Sequence, residues 1–123
     1  MGIAASAQIV DTGKNYELHI GDYVLVGSEI NKKIGNDYGA LEFRSENAEE
    51  VNALGKFIDE NKVQLEKKYN IIIVNNVYGK IKHNDYRVTI LAYSPEVYRK
   101  LQEIDSRKEQ EREDRINSLK SVL

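Results

Sequence analysis

Apolar and polar residues alternate over several short segments in the first part of the chain, a period that predicts β-strands with one buried face. The clearest of these segments places Tyr16, Leu18 and Ile20 on one side. Turn-forming residues at 11–15 precede it and predict a hairpin. The polar, glycine- and asparagine-rich residues 28–39 predict a loop. The strands predicted in this part are residues 8–10, 16–20, 23–26 and 41–44.

Residues 45–69 change to a helical period. Ser45 is a favourable N-cap residue, and the apolar side chains that follow it recur at spacings of three, four and seven. This stripe consists of Val51, Leu54, Ile58, Leu65 and Tyr69. The pattern predicts one helix that packs the stripe against the sheet.

Two further strands follow the helix. Residues 70–78 include four consecutive β-branched residues that are apolar on both faces, so we predict a central strand covered on both sides. A polar turn is predicted at residues 79–85. Residues 86–93 alternate most regularly, with Val88 and Ile90 facing the same way.

A long helix is predicted to begin near residue 94. Ser94 suits the N-cap position and Pro95 the first helical position. The apolar stripe of this helix consists of Val97, Leu101 and Ile104. Residues 105–115 contain no apolar side chain, so we expect this part of the helix to project into water.

These elements predict an α+β domain with the order β-β-β-β-α-β-β-α and a long charged C-terminal helix. Its sheet is mainly antiparallel, with about five or six strands packed on helices. We assign residues 1–104 to a core domain and residues 105–123 to the projecting part of the last helix. The apolar residues at the end of that helix form the predicted interaction surface: Ile116, Leu119, Val122 and Leu123.

Composition limits the classes of function. A net charge of −2 over 123 residues creates no general attraction to nucleic acid or to an anionic membrane. The chain has no cysteine, which excludes disulfides and thiolate metal sites and fits a reducing compartment. The longest apolar run, at residues 71–74, is far shorter than the about 20 residues that span a membrane. We predict a cytoplasmic protein, of the producing or the host cell, without membrane contact.

Neither histidine belongs to a metal-binding pattern. His19 and His83 lie far apart, outside any metal-ligand spacing, and the chain has no glycine-rich phosphate loop. We therefore predict no metal and no cofactor.

Two short motifs resemble parts of enzyme signatures. The segment from Ile9 to Gly13 resembles the start of the retropepsin-type aspartic protease signature, in which a dimer pairs two aspartates. The resemblance ends at Lys14, and we interpret the segment as a hairpin turn. Asp37 and Glu42 resemble the spacing of metal-dependent nucleases, but Arg44 stands where a lysine is needed and cannot transfer a proton near pH 7.

These departures favour a protein that is not an enzyme. An enzyme without a recognisable motif is the third hypothesis, and its candidate groups are Asp11, Asp37, Glu42 and His83.

The segment between the last two predicted strands is the one basic cluster interleaved with aromatic residues. Lysine and arginine can meet phosphates while tyrosines stack on bases, which indicates a nucleotide or single-stranded nucleic-acid site. The residues of this alternative site are Tyr78, Lys80, Lys82, His83, Tyr86 and Arg87.

The leading hypothesis is a non-catalytic protein-interaction module that binds a protein partner or itself, with a homodimer expected. Eight tyrosines, a residue type enriched at interfaces, favour it. The Asn-, Lys- and Ile-rich sequence is typical of an AT-rich microbial or viral genome. We therefore expect a small viral or mobile-element inhibitor of a host factor.

Overall fold

The computed structural model describes residues 8–27 and 37–123, which form one antiparallel sheet and the helices that pack on it. The strands are β1 (Val10–Asp11), β2 (Tyr16–Ile20), β3 (Tyr23–Gly27), β4 (Tyr38–Ser45), β5 (Ile72–Lys82) and β6 (Asp85–Tyr93). The helices are α1 (Ala48–Glu60), α2 (Lys62–Tyr69) and α3 (Pro95–Ser118), and a short 3₁₀ turn at Leu119–Ser121 follows. The predicted α+β class, the strand and helix order and the long last helix are confirmed.

The strands lie side by side in the order β1-β2-β3-β4-β6-β5, and every neighbouring pair is antiparallel. Strand β6 therefore separates β4 from β5. Because β4 and β5 both run opposite to β6, they run in the same direction, and a connection between them must cross a sheet face. Helices α1 and α2 make that crossing.

Strand β4 begins earlier than the sequence predicts. Residues 28–36 of the predicted loop lie outside the described residues, but Tyr38 and Gly39 already pair with Tyr93 and Ala92 on β6. The prediction that the loop extends to residue 39 is wrong. Backbone pairing with β6 runs from Tyr38 to Ser45, so the strand includes residues that precede the alternating segment 41–44.

The core lies between one face of the sheet and the helices α1 and α2. The predicted stripe of the first helical segment is buried in full, from Val51 to Tyr69. Burying one large aliphatic side chain contributes about 1.5–3 kcal/mol. The largest side chains that are less than 2% exposed are Leu18, Leu25, Leu41, Val51, Ile58, Ile71, Val88 and Ile90.

Asn47, and not the predicted Ser45, caps α1. The Asn47 side chain accepts a hydrogen bond from the backbone N–H of Glu50 at 3.1 Å. Ser45 instead ends β4 opposite Tyr86, and its hydroxyl accepts a hydrogen bond from the Asn47 N–H at 2.9 Å. The pairing with β6 holds Ser45 in the sheet, so the helix starts after it.

The single helix predicted over residues 45–69 is interrupted at Asn61. The backbone N–H and the side-chain amide of Asn61 both donate to the carbonyl oxygen of Phe57, at 3.0 and 2.9 Å. Asparagine readily makes such local hydrogen bonds, which compete with a continuous helix. Leu65 and Tyr69 of α2 nevertheless pack in the same core as α1.

Strand β5 is an edge strand, and the prediction of a central strand covered on both faces is wrong. Ile71 and Ile73 are buried as expected, but Val74 and Val77 are 47% and 59% exposed. A bulge at Val74 shifts the register with β6. The β5–β6 hairpin places β6 between β4 and β5, so β5 lies at the edge of the sheet. The apolar run reflects one buried face together with the bulge at Val74.

The face of β5 toward the helices fits closely against α1 at Gly55. The Tyr78 ring lies directly on the Gly55 backbone, so that a Cβ atom added there would overlap the ring. Next to it, the Asn76 side chain donates to the Gly55 carbonyl oxygen at 3.0 Å and to the Asp59 carboxylate at 2.8 Å. The absence of a side chain at position 55 therefore sets the distance between α1 and the edge of the sheet.

We expect Gly55→Ala to destabilise the protein, although alanine is favoured over glycine within a helix by about 1 kcal/mol. Overlap with Tyr78 forces α1 away from β5, at a net cost of about 1–3 kcal/mol in the free energy of unfolding. Urea denaturation measures this cost. In a Tyr78→Ala background the same substitution is expected to stabilise, and Asn52→Ala on the exposed side of α1 is the control. Equal effects of Gly55→Ala in both backgrounds would contradict the close fit.

Candidate interaction surface

Helix α3 is attached to the sheet at its first turn. The Ser94 hydroxyl accepts a hydrogen bond from the backbone N–H of Val97 at 3.2 Å and donates to the Asp37 carboxylate at 3.3 Å. Val97 is buried, and Leu101 and Ile104 are partly buried. The predicted start of this helix is confirmed, and its apolar stripe lies where the helix leaves the body.

Every residue from 105 to 123 is exposed. The α3 tip, by which we mean Ile116, Leu119, Val122 and Leu123, contains apolar side chains with exposures of 57%, 67%, 71% and 116%. Arg115 and Lys120 lie among them and are the only charged side chains of residues 115–123. The four predicted interaction residues thus lie exposed in the last turn of α3, in the 3₁₀ turn and directly after it. The division into a 1–104 domain and a projecting 105–123 part stays a prediction.

A second apolar surface was not predicted from the sequence. A cleft of about 360 Å³, here called the α1 groove, lies between α1 and the turn that joins β2 to β3. Its floor includes the buried Ile20 and Leu54, and the half-exposed Phe57 ring lines it. Its full lining is Ile20, Gly21, Asp22, Tyr23, Ala53, Leu54 and Phe57. The sequence held one signal for this groove, because Phe57 is an aromatic residue outside the predicted apolar stripe of the helix.

The residues of the predicted nucleic-acid site do not share one surface. Tyr78 packs on Gly55 and Tyr86 packs against the core, so both rings are partly buried on the helix side of the sheet. Arg87 belongs to the opposite face. Lys80, Lys82 and His83 are exposed on the hairpin. Lys80 lies opposite Tyr86 in the β5–β6 ladder, so Lys80, Tyr78 and Tyr86 share one face of the sheet and Arg87 lies on the other. Nucleic-acid binding stays a prediction.

The sheet face opposite the helices carries a network of ion pairs. Glu42 on β4 accepts a hydrogen bond from Arg44, and its carboxylate lies 3.8 Å from the Arg87 guanidinium on β6. Thr89 donates to the same carboxylate at 3.4 Å. On β2, His19 and Glu17 lie 3.0 Å apart. The charges of this face largely satisfy one another.

Asp85 and Arg87 form the closest pair of the network. The Arg87 guanidinium donates twice to the Asp85 carboxylate, at 2.8 and 3.0 Å. This pair of hydrogen bonds lowers the pKa of Asp85 and raises that of Arg87. Arg87 is therefore engaged within the chain.

Of the four candidate groups for an enzyme, Asp11 and Asp37 lie near the same two tyrosines. Burial raises the pKa of Tyr16 and of Tyr38, and both carboxylates raise it further. Asp11 accepts a hydrogen bond from the Gly13 N–H at 2.8 Å in a turn, whereas Asp37 binds Ser94. Glu42 belongs to the ion-pair network, and His83 lies exposed in the β5–β6 turn. Among the described residues, no three histidine or acidic side chains are placed to hold a metal ion together.

Comparisons with known proteins found no matching family model, curated protein or solved structure. Within residues 8–27 and 37–123, no helix has both the length and the apolar character needed to cross a membrane.

We expect Asp85→Asn to lower the free energy of unfolding at pH 7 and to make that free energy fall less as the pH is lowered. The pKa of Asp85 in the folded protein lies below its ordinary value of 3.8. Its contribution is therefore complete above about pH 5 and is lost as the pH falls through the lowered pKa. Urea denaturation from pH 7 to pH 2 measures the difference. Asp105→Asn on the exposed part of α3 is the control, and parallel profiles for Asp85→Asn and wild type would contradict the role of this pair.

We expect the double substitution of Lys80→Ala and Lys82→Ala to leave binding of a single-stranded oligonucleotide unchanged and weak. The tyrosines needed for stacking are packed against the protein, so only two exposed charges are removed. Fluorescence anisotropy at low and moderate salt measures the affinity. Tight, salt-dependent binding of wild type that the double variant loses would instead support a nucleic-acid site.

Proposed function

We propose that this protein is a non-catalytic interaction module that self-associates through the α3 tip. The observation that carries the proposal is the group of four exposed apolar side chains at the end of a helix that is exposed from residue 105 onward. An exposed apolar group of this kind is characteristic of an interaction surface.

Removing apolar area from water stabilises an association by about 25 cal/mol per Å² before the cost of ordering the partners. The tip offers several large side chains that are more than half exposed. The 24-residue helix holds Ile116, and the 3₁₀ turn after it holds Leu119, away from the sheet without further ordering of the chain. Pre-organisation of this kind favours binding because little conformational freedom is lost.

The environments of the candidate catalytic groups support the non-catalytic part of the proposal. Asp11 stabilises a turn, Asp37 holds the start of α3, and Glu42 is paired with arginines. These three carboxylates thus have structural partners, and the fourth candidate, His83, is exposed in the β5–β6 turn.

A homodimer is the partner state that we favour, because closed two-fold dimers are the commonest oligomers. The same surface would serve a small viral or mobile-element inhibitor that blocks a host protein. The Asn-, Lys- and Ile-rich sequence supports such an origin. The composition without cysteine supports a cytoplasmic location.

We expect wild type to dimerise with increasing concentration, and the double substitution of Ile116→Ser and Leu119→Ser to weaken dimerisation at least tenfold, or by about 1.4 kcal/mol. Sedimentation velocity over a concentration series measures the dissociation constant. Val63→Ser is the matched control because Val63 is also an exposed helical residue, at 59%. A wild-type protein that is monomeric at every concentration would contradict the proposal.

A further inference from the structure

The α1 groove has the form of a site for an apolar helix. Its lining comes mostly from apolar parts of α1 and from the β2–β3 turn, and Phe57 is left 46% exposed beside it. Helix-in-groove recognition uses apolar residues at positions i, i+3 and i+7 of the bound helix. Such a groove is matched by a short apolar stripe and not by a single side chain.

The α3 tip provides that spacing. Ile116, Leu119 and Leu123 are separated by three and four residues. Ile116 lies in the last turn of α3, Leu119 begins the 3₁₀ turn and Leu123 follows that turn. An α-helix that continues through Leu123 on docking would place the three side chains on one face. Such a stripe is about two helical turns long.

The charges around the groove and the tip are complementary. Asp22 lines the groove, and the Glu50 carboxylate accepts a hydrogen bond from the Tyr23 hydroxyl at 3.4 Å. Burial raises the pKa of the Tyr23 phenol, and the negative charges of Glu50 and Asp22 raise it further. Lys56, the lysine of α1, is paired with Glu60 at 3.8 Å. The groove therefore presents a net negative edge.

The tip carries the opposite sign. Arg115 and Lys120 are the charged side chains of residues 115–123, whereas the turn before them carries Glu111, Glu113 and Asp114. The net positive charge is therefore confined to the tip itself. Docking of the tip would bring these cations toward Asp22 and Glu50. Complementary charges of this kind orient a contact and reject partners of the wrong sign.

The groove is not filled by the tip of the same chain. The last part of α3 is continuous helix, and residues 105–123 are exposed along their whole length. A helix of 24 residues is about 36 Å long. Returning the tip to the groove of its own chain would require this helix to break.

We propose that the α3 tip of one copy occupies the α1 groove of a second copy, and that the second tip fills the first groove in return. This inference rests on the proposed self-association and names the surface that receives the tip. A reciprocal exchange is closed by a two-fold axis, so it gives a dimer and does not propagate into a filament.

A substitution in the groove tests the proposal without altering the tip. Ala53→Arg fills the groove and repels Arg115 and Lys120, and Ala53 is exposed on α1, where arginine is a good helix former. We expect its dimer dissociation constant in sedimentation velocity to rise at least tenfold. Gln64→Arg adds the same charge at an exposed position of α2 outside the groove, and we expect it to dimerise like wild type. Circular dichroism and urea denaturation verify that both variants are folded.

Disulfide trapping gives a second measurement, because the chain has no cysteine of its own. We expect a mixture of Ala53→Cys and Leu123→Cys proteins to form mixed cross-linked dimers under mild oxidation. A mixture of Gln64→Cys and Leu123→Cys proteins is the control and should cross-link much more slowly.

Two sets of outcomes separate this inference from the proposed function. If wild type dimerises and the tip variant does not, while Ala53→Arg dimerises normally and Leu123→Cys cross-links mainly to itself, the tips pack on each other. The docking proposal is then overturned and the proposed function stands. If wild type is monomeric, both are overturned.

Discussion

The packing of α1 across β4, β6 and β5 is the contact on which the rest of the structure depends. Helix α1 covers the apolar face of the sheet, and it contacts both β4 and β5, which β6 separates. The fit is closest at Gly55, where the Tyr78 ring lies on the helix backbone. Because Asn76 bonds to the carbonyl oxygen of the same glycine, the edge strand is held to the helix by both packing and hydrogen bonds.

This packing also determines what the surfaces of the protein can do. Tyr78 packs on the α1 backbone, and Tyr86 is partly buried against the same core. On the opposite face of the sheet, Glu42 and Asp85 pair with arginines. An antiparallel sheet commonly has one solvated face of this kind, and such a face needs no ligand to satisfy its charges.

The α3 tip and the α1 groove differ from these satisfied regions. Both leave large apolar side chains in contact with water, and neither Phe57 nor Leu119 contributes to the core. One surface is a projecting stripe with positive charge, and the other is a cleft with a negative edge. A dimer that joins them would complete the burial that a single chain leaves unfinished.

The sequence by itself determined the features that depend on neighbouring residues. Alternation identified β2 and β6, the stripe ending at Tyr69 identified the buried helical side, and Ser94 with Pro95 identified the start of α3. The exposure of the tip was predicted because residues 105–115, which precede it, contain no apolar side chain that could pack on the core.

Tertiary structure alone decided the features that depend on residues distant in sequence. It placed β5 at the edge, held Ser45 in the sheet so that Asn47 became the cap, and formed the groove from a turn and a helix. A run of β-branched residues fits a central strand or a bulged edge strand equally well by its local pattern. Only the pairing of β6 between β4 and β5 distinguishes them, because that pairing decides which faces meet water.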